Sequence, residues 1–225
     1  DLTKYPALWQ GIVRPQDFPD VYLPPYDMAG WTLPAQMGVK VSAIDTPLDV
    51  DLEPLKKVEV SGGVVGRSAG YAYLISSKTN NSFIAANRIL KSGGQILRAK
   101  EFFTVDGKNY SPGTMIALSN SVSRSFMETL AKELSLSIEA TANQVTADTY
   151  RLKIPRIALY KSWVANMDEG WTRWLFEQYE FPFTNVHDAE VRAGNLREKF
   201  DMLVLPSMSS NTIVNGNKPD TLPPK

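Results

Sequence analysis

Cysteine is absent from the 225 residues and histidine occurs once. Without cysteine there is no disulfide framework, no thiolate nucleophile and no Cys-based zinc or iron–sulfur site. A lone histidine excludes every mechanism that needs two, His-rich metal sites included. Such a chain survives in oxidising and reducing compartments alike. An excess of one charge is also missing, because 24 Lys and Arg balance 24 Asp and Glu. Affinity for a phosphate backbone comes from clustered cations that displace counterions, so no nucleic-acid partner is expected. No stretch approaches the ~20 apolar residues that span a bilayer. The longest uncharged apolar runs, such as Met202–Pro206, are strand-sized, and no membrane partner is expected. What is present is a hydrophobic fraction of 43%, enough for a core in one large or two small domains.

Eight of the fifteen prolines fall in residues 1–57, and each blocks a helix interior and a central-strand position. Tyr5, Trp9, Phe18, Tyr22, Tyr26 and Trp31 make this segment too apolar for a solvated linker, so an extended segment packed on other protein is predicted. One short helix is expected after Thr32 as N-cap, with Pro34 in its first turn and Gly38 past its end, followed by a strand over Val39–Ile44. The opening Asp1-Leu2-Thr3-Lys4 reads as internal to a longer product, and the polar, Pro-rich tail after Leu205 reads as lacking a closing element.

Residues 58–154 read as strand, helix, strand, strand, helix, strand. The predicted elements are strand Tyr71–Ile75, a helix capped at Asn81 or Ser82, strand Gln95–Val105, a turn at Asp106-Gly107, strand Thr114–Leu118, a helix capped at Ser125 and a last strand over Ser137–Ala140. That order suits an open-faced sandwich with both helices on one side of an antiparallel sheet. The run Ser61-Gly62-Gly63-Val64-Val65-Gly66 lacks dinucleotide and phosphate-loop spacing and is expected to be a turn.

Residues 155–225 carry a parallel α/β signal and read as the start of a larger domain, with strands Arg156–Lys161, Phe183–Val186 and Met202–Leu205 and helices after Asp168 and over Ala189–Phe200. In the first helix Trp171, Trp174, Leu175 and Tyr179 form an apolar stripe. Glu169, Arg173 and Glu177 form a charge ladder on the other side, so the tryptophans are expected in the core. In a flavodoxin-like start the third strand lies on the far side of the first from the second. The loops after strands one and three then sit side by side, at the carboxyl ends where open α/β sheets bind ligands. Trp163, Asn166, Asp168, Ser207 and Ser209 are the candidate ligand-binding residues there. The plainer alternative makes Asp168 a helix cap and Trp163 a packing residue. Carboxylates at 168 and 169 occupy the positive end of the helix dipole and would repel a phosphate.

His187-Asp188-Ala189-Glu190 matches the His-x-x-Glu spacing of two zinc ligands in carboxypeptidases, but a catalytic zinc needs a third protein ligand, a second His in that scheme. No catalytic residue and no metal ligand are therefore assigned in this chain. A serine triad is equally unsupported, since no Gly-x-Ser-x-Gly elbow is present.

Three stretches, Pro25–Val39, Ile157–Trp174 and Phe200–Pro206, resemble segments of large bacterial zinc carboxypeptidase-like proteins, and the similarity runs over most of the chain. In that family a carboxypeptidase A-like metallopeptidase domain is followed by accessory regions, the last resembling class I glutamine amidotransferases. The resemblance implies a non-catalytic C-terminal accessory portion of a secreted or periplasmic hydrolase. Its zinc and general base would lie upstream of Asp1, and its own upstream peptidase domain would be its partner. The amidotransferase-like part departs from the enzymes it resembles, because their nucleophilic cysteine cannot exist here. The competing expectation is an independent small-ligand or peptide-binding module using the loops at Asn166 and Ser207. A three-stranded final sheet with open edges also leads to the expectation of a homodimer through the C-terminal unit.

Overall fold

The computed structural model describes residues 37–216, apart from positions 38, 43, 48, 52, 57 and 59. The expected helix after Thr32 and the tail after Gly216 lie outside the described residues. Contacts divide the chain into two units, residues 1–56 and 57–225. In the first, residues 39–42 and 44 do not form the expected strand, and Val39, Val41 and Ile44 are exposed. A strand needs a partner for its backbone groups, and apolar alternation alone does not supply one. The rest of the description concerns the second unit.

Ala72–Ile75 (β2) is buried along its whole length, as a strand must be when both faces of its sheet are covered. It is central in a six-stranded sheet ordered β1-β7-β2-β6-β3-β8. The other strands are Gly63–Val65 (β1), Ile96–Ala99 (β3), Met115–Leu118 (β6), Ser137–Thr141 (β7) and Thr149–Arg151 (β8). All neighbours are antiparallel except β1 and β7. Helices Asn81–Lys91 (α1) and Arg124–Glu133 (α2) follow β2 and β6. Alternate residues of a strand point to opposite faces, and here each face has its own core. Tyr73, Ile75 and Ile138 pack with Ile89 of α1 and Met127 and Leu130 of α2. Ala72, Leu74 and Ile116 pack on the opposite face.

The strand read as Gln95–Val105 is broken at Lys100–Phe102. Phe103–Val105 (β4) and Lys108–Tyr110 (β5) form a separate hairpin whose Phe103 and Val105 cover the Leu74 and Ile116 face. The sandwich is therefore not open. The Asp106-Gly107 turn is where it is expected, with φ of 52° and 72°, the positive pair that lets a two-residue turn follow strand twist. Two further corrections are local. The cap of α2 is Ser123, whose Oγ accepts from the Phe126 amide at 3.2 Å, rather than Ser125. The glycine run expected as a turn contains β1.

The chain after β8 builds a three-stranded parallel sheet from Ile157–Tyr160 (β9), Phe183–Val186 (β10) and Met202–Val204 (β11), ordered β10-β9-β11. Met167–Gln178 (α3) joins β9 to β10. The helix expected over Ala189–Phe200 is split into Asp188–Ala193 (α4) and Leu196–Lys199 (α5) by Gly194 and Asn195, at φ 73° and 56°. Ser210–Asn215 (α6) closes the described chain. Arg156 clasps the start of β11: its guanidinium meets Asp201 at 2.7 Å and the Glu198 carbonyl at 2.8 Å. Hydrogen bonding to Arg156 holds the Asp201 carboxyl down at about 2. α1 meets the end of α3 through polar groups. Asn87 Nδ2 donates to the Tyr179 carbonyl at 2.7 Å, and the Arg88 guanidinium binds Glu180 at 2.7 Å and Glu133 at 2.8 Å. The mixed α/β class expected from the sequence is the class observed. No helix among the described residues is long and apolar enough to cross a membrane.

The tryptophan stripe of α3 faces outward instead of inward, and of the charge ladder Glu169 alone is buried while Glu177 stays exposed. Glu169 is buried, while Trp171, Trp174 and Leu175 are 57%, 48% and 46% exposed. Periodicity fixes which residues share a helix face, but only a neighbouring element decides which face is inside. In this chain, Trp174→Ala is consequently expected to cost about 1 kcal/mol or less rather than the 3–5 kcal/mol of a buried tryptophan. A thermal midpoint lowered by no more than about 4 °C checks this, and a larger drop would return Trp174 to the core.

Candidate functional site at the carboxyl ends of the parallel strands

Parallel order β10-β9-β11 puts the chain after β9 beside the chain after β11. Asn166 joins the two loops, its side-chain Nδ2 donating to the Ser207 carbonyl at 3.0 Å. The same side chain caps α3, because Oδ1 accepts from the amides of Asp168 at 2.8 Å and Glu169 at 3.1 Å. Asn166, not Asp168, is thus the N-cap. Asp168 is exposed in the first turn, where its charge still favours the helix dipole.

Of the five candidate residues, Asn166 and Ser207 are brought into contact. Ser209 lies in the second loop but is committed to capping α6: its Oγ accepts from the Thr212 amide at 3.1 Å and shares a hydrogen bond with Thr212 Oγ1 at 2.7 Å. Trp163 is 59% exposed, so it does not serve as the packing residue of the plainer alternative.

Three residues outside the candidate set belong to this region. Ser162 is buried and donates to the Val164 carbonyl at 2.6 Å, which shapes the first loop. Glu169 is 6% exposed, and its Oε1 is buried with no hydrogen-bond partner. Asn185 of β10 has a buried Oδ1 in the same condition. In the sequence Glu169 stands in the first turn of the helix and four residues before Arg173, which suggests an exposed pair. Arg173 instead reaches Glu177, at 4.0 Å.

His187 and Glu190 have a structural explanation. The Glu190 carboxylate accepts from the His187 backbone amide at 3.1 Å, and His187 Nδ1 lies 3.1 Å from the Lys161 carbonyl. The His-x-x-Glu spacing here closes the first turn of α4. Tyr160 donates to Asp188 at 2.6 Å, and burial followed by that carboxylate raises its phenol to about 12. Among the described residues the loop hydroxyls of Ser162 and Ser209 hydrogen-bond to the Val164 carbonyl and to Thr212.

The outer side of α3 is an open groove of about 500 Å³ lined by Met167, Gly170, Trp171, Arg173, Trp174 and Glu177. Its two indoles meet edge to face at 5.9 Å. Met202, Leu203 and Leu205, at and just past β11, are also exposed. Comparison with family models, curated proteins and solved structures finds no match for this chain.

Proposed function

We propose that the chain is a non-catalytic accessory portion of a secreted or periplasmic zinc carboxypeptidase-like hydrolase, where it supports the peptidase domain or its access to substrate. The observation that carries this reading is the outer apolar surface of α3, with Met167 78% exposed beside Trp171 and Trp174. Apolar surface of this kind marks a place where other protein packs. It falls in the stretch Ile157–Trp174 that resembles the hydrolase family. The occupant is the rest of that hydrolase, the zinc belongs to its peptidase domain, and the parallel sheet is the start of a flavodoxin-like, class I glutamine amidotransferase-like domain. The order β10-β9-β11 supports that last assignment.

The test uses the gene product read through on both sides of this chain. Its upstream part is expected to contain a His-x-x-Glu and a distant His. Hydroxyl-radical labelling of Met167, Trp171 and Trp174 is expected to fall several-fold relative to the chain alone. The chain alone is expected neither to release C-terminal residues from peptides nor to retain stoichiometric zinc. Undiminished labelling, tightly bound zinc lost on His187→Ala, or a dimer of the isolated chain that shields the same residues would each overturn the reading, the last by giving the face to a second copy. The Asn166–Ser207 contact separately favours the second reading, a small-ligand or peptide site between the loops.

A further inference from the structure

Glu169 Oε1 and Asn185 Oδ1 are the two buried side-chain atoms among the described residues that lack a hydrogen-bond partner. They share one layer of the fold. In the parallel register Asn185 stands beside Leu159, as Val204 does on the other side, so the three lie in one row on one face of the sheet. Phe183, two residues earlier on that face, packs its ring 5.6 Å from that of Phe176 in α3. Glu169 lies two helical turns before Phe176 on the same side of α3. Because α3 runs antiparallel to the strands it connects, stepping from Phe176 to Glu169 and from Phe183 to Asn185 moves the same way. Both steps lead to the carboxyl ends of the strands, where Asn166 joins the two loops.

Both orphaned atoms are acceptors, and two acceptors cannot satisfy each other. An unpaired buried carboxylate oxygen is costly, so the pair calls for a donor. The nearest side-chain cation in sequence, Arg173, is turned to Glu177, and the first amides of α3 are taken by Asn166. Asp168, exposed in the first turn of α3, is a second carboxylate next to Glu169 in sequence. We propose that Glu169 and Asn185 form the floor of a site for a primary ammonium group, a compact cation with N–H donors and no acceptor, entering between the loops 161–166 and 205–209. The site goes beyond the accessory role, and its test involves no hydrolase.

Methylammonium chloride added to the intact chain is expected to raise the thermal midpoint saturably above the effect of equal sodium chloride. It is also expected to shift the backbone amide resonances of Asn166, Glu169 and Asn185. Tetramethylammonium, which carries the charge but no donor, should do neither. Glu169→Gln should weaken methylammonium binding at least tenfold, and the resonance shifts of the unmodified chain stand even if that variant folds poorly. A tripeptide amide with a free amino terminus, compared with its acetylated form, distinguishes a peptide source of the ammonium from a small free amine. Equal responses to the two ammonium salts, no response to either, or a crystal structure in which Asn185 Nδ2 donates directly to Glu169 would overturn the assignment.

Discussion

Replacing Phe103 with alanine is expected to destabilise the chain by about 3–5 kcal/mol, the range for removing a buried aromatic side chain. Phe103 is 7% exposed although it belongs to a two-stranded hairpin outside the main sheet. Its ring stacks on Tyr110 with centroids 5.0 Å apart. It also closes the sheet face that carries Leu74 and Ile116, which have no helix over them. Truncation therefore removes contact area and admits water to a second core. Denaturant unfolding should show the midpoint falling with little change in slope. A loss below about 1 kcal/mol, the scale of surface changes, would mean that the hairpin rests on the sheet without contributing to its cooperative core.

Gly62→Ala is the second large effect. A Cβ at position 62 would lie 1.8 Å from the Ala131 carbonyl oxygen and 2.6 Å from the Leu136 amide nitrogen. Both are backbone atoms at the end of α2 and the start of the chain into β7, and neither can rotate away as a side chain can. The expected cost is about 3 kcal/mol, the upper range for overpacking, unless β1 detaches from the edge of the sheet. Gly63 provides the comparison, since an added Cβ there meets nothing within 4 Å, and Gly63→Ala should be close to neutral. Equilibrium unfolding together with hydrogen exchange at β1 and β7 separates a global loss from local detachment. Equal stability of the two variants would show that the approach of Gly62 to α2 is not as close as described.

These two residues mark the limit of what the sequence makes legible. The elements β2, α1, β3, β6, α2 and β7 occur in the order their periodicity predicts, because each buries a stripe that repeats at its own period. β1 escapes that logic: Gly62, Gly63 and Gly66 surround Val64 and Val65, and glycine signals a turn as readily as close backbone approach. The hairpin is hidden because Gln95–Val105 alternates well enough to read as one strand. Only pairing to β8 and a change of face reveal the break. At the candidate site, the adjacency of the loops follows from parallel topology and is visible in the Asn166–Ser207 contact. The choice of cap is not legible, since Asn166 and Asp168 are equally good cap residues and the backbone decides between them. Glu169 is missed for the same reason that Trp174 is misplaced: its pattern gives a face but no neighbour.

The edge strand β1 also bears on the time course of folding. Its register runs from Gly63 with Ser137 to Val65 with Glu139, so it waits for nearly the whole of the intervening chain. The β2–β7 ladder, which pairs Ala72 with Thr141, closes a loop nearly as long, so that entropy is spent when β7 docks on β2, and β1, close to β2 in sequence, then adds only one short ladder. β1 is thus expected on the late side of the barrier, joining after β2, β6 and β7 have assembled, and Gly62→Ala should then speed unfolding with little effect on the refolding rate. Contacts made after the barrier govern the rate of opening and leave the rate of closing almost untouched. The bare backbone at Gly62 therefore acts on how long the native sheet persists, while the speed of its formation is set in the strands at its centre.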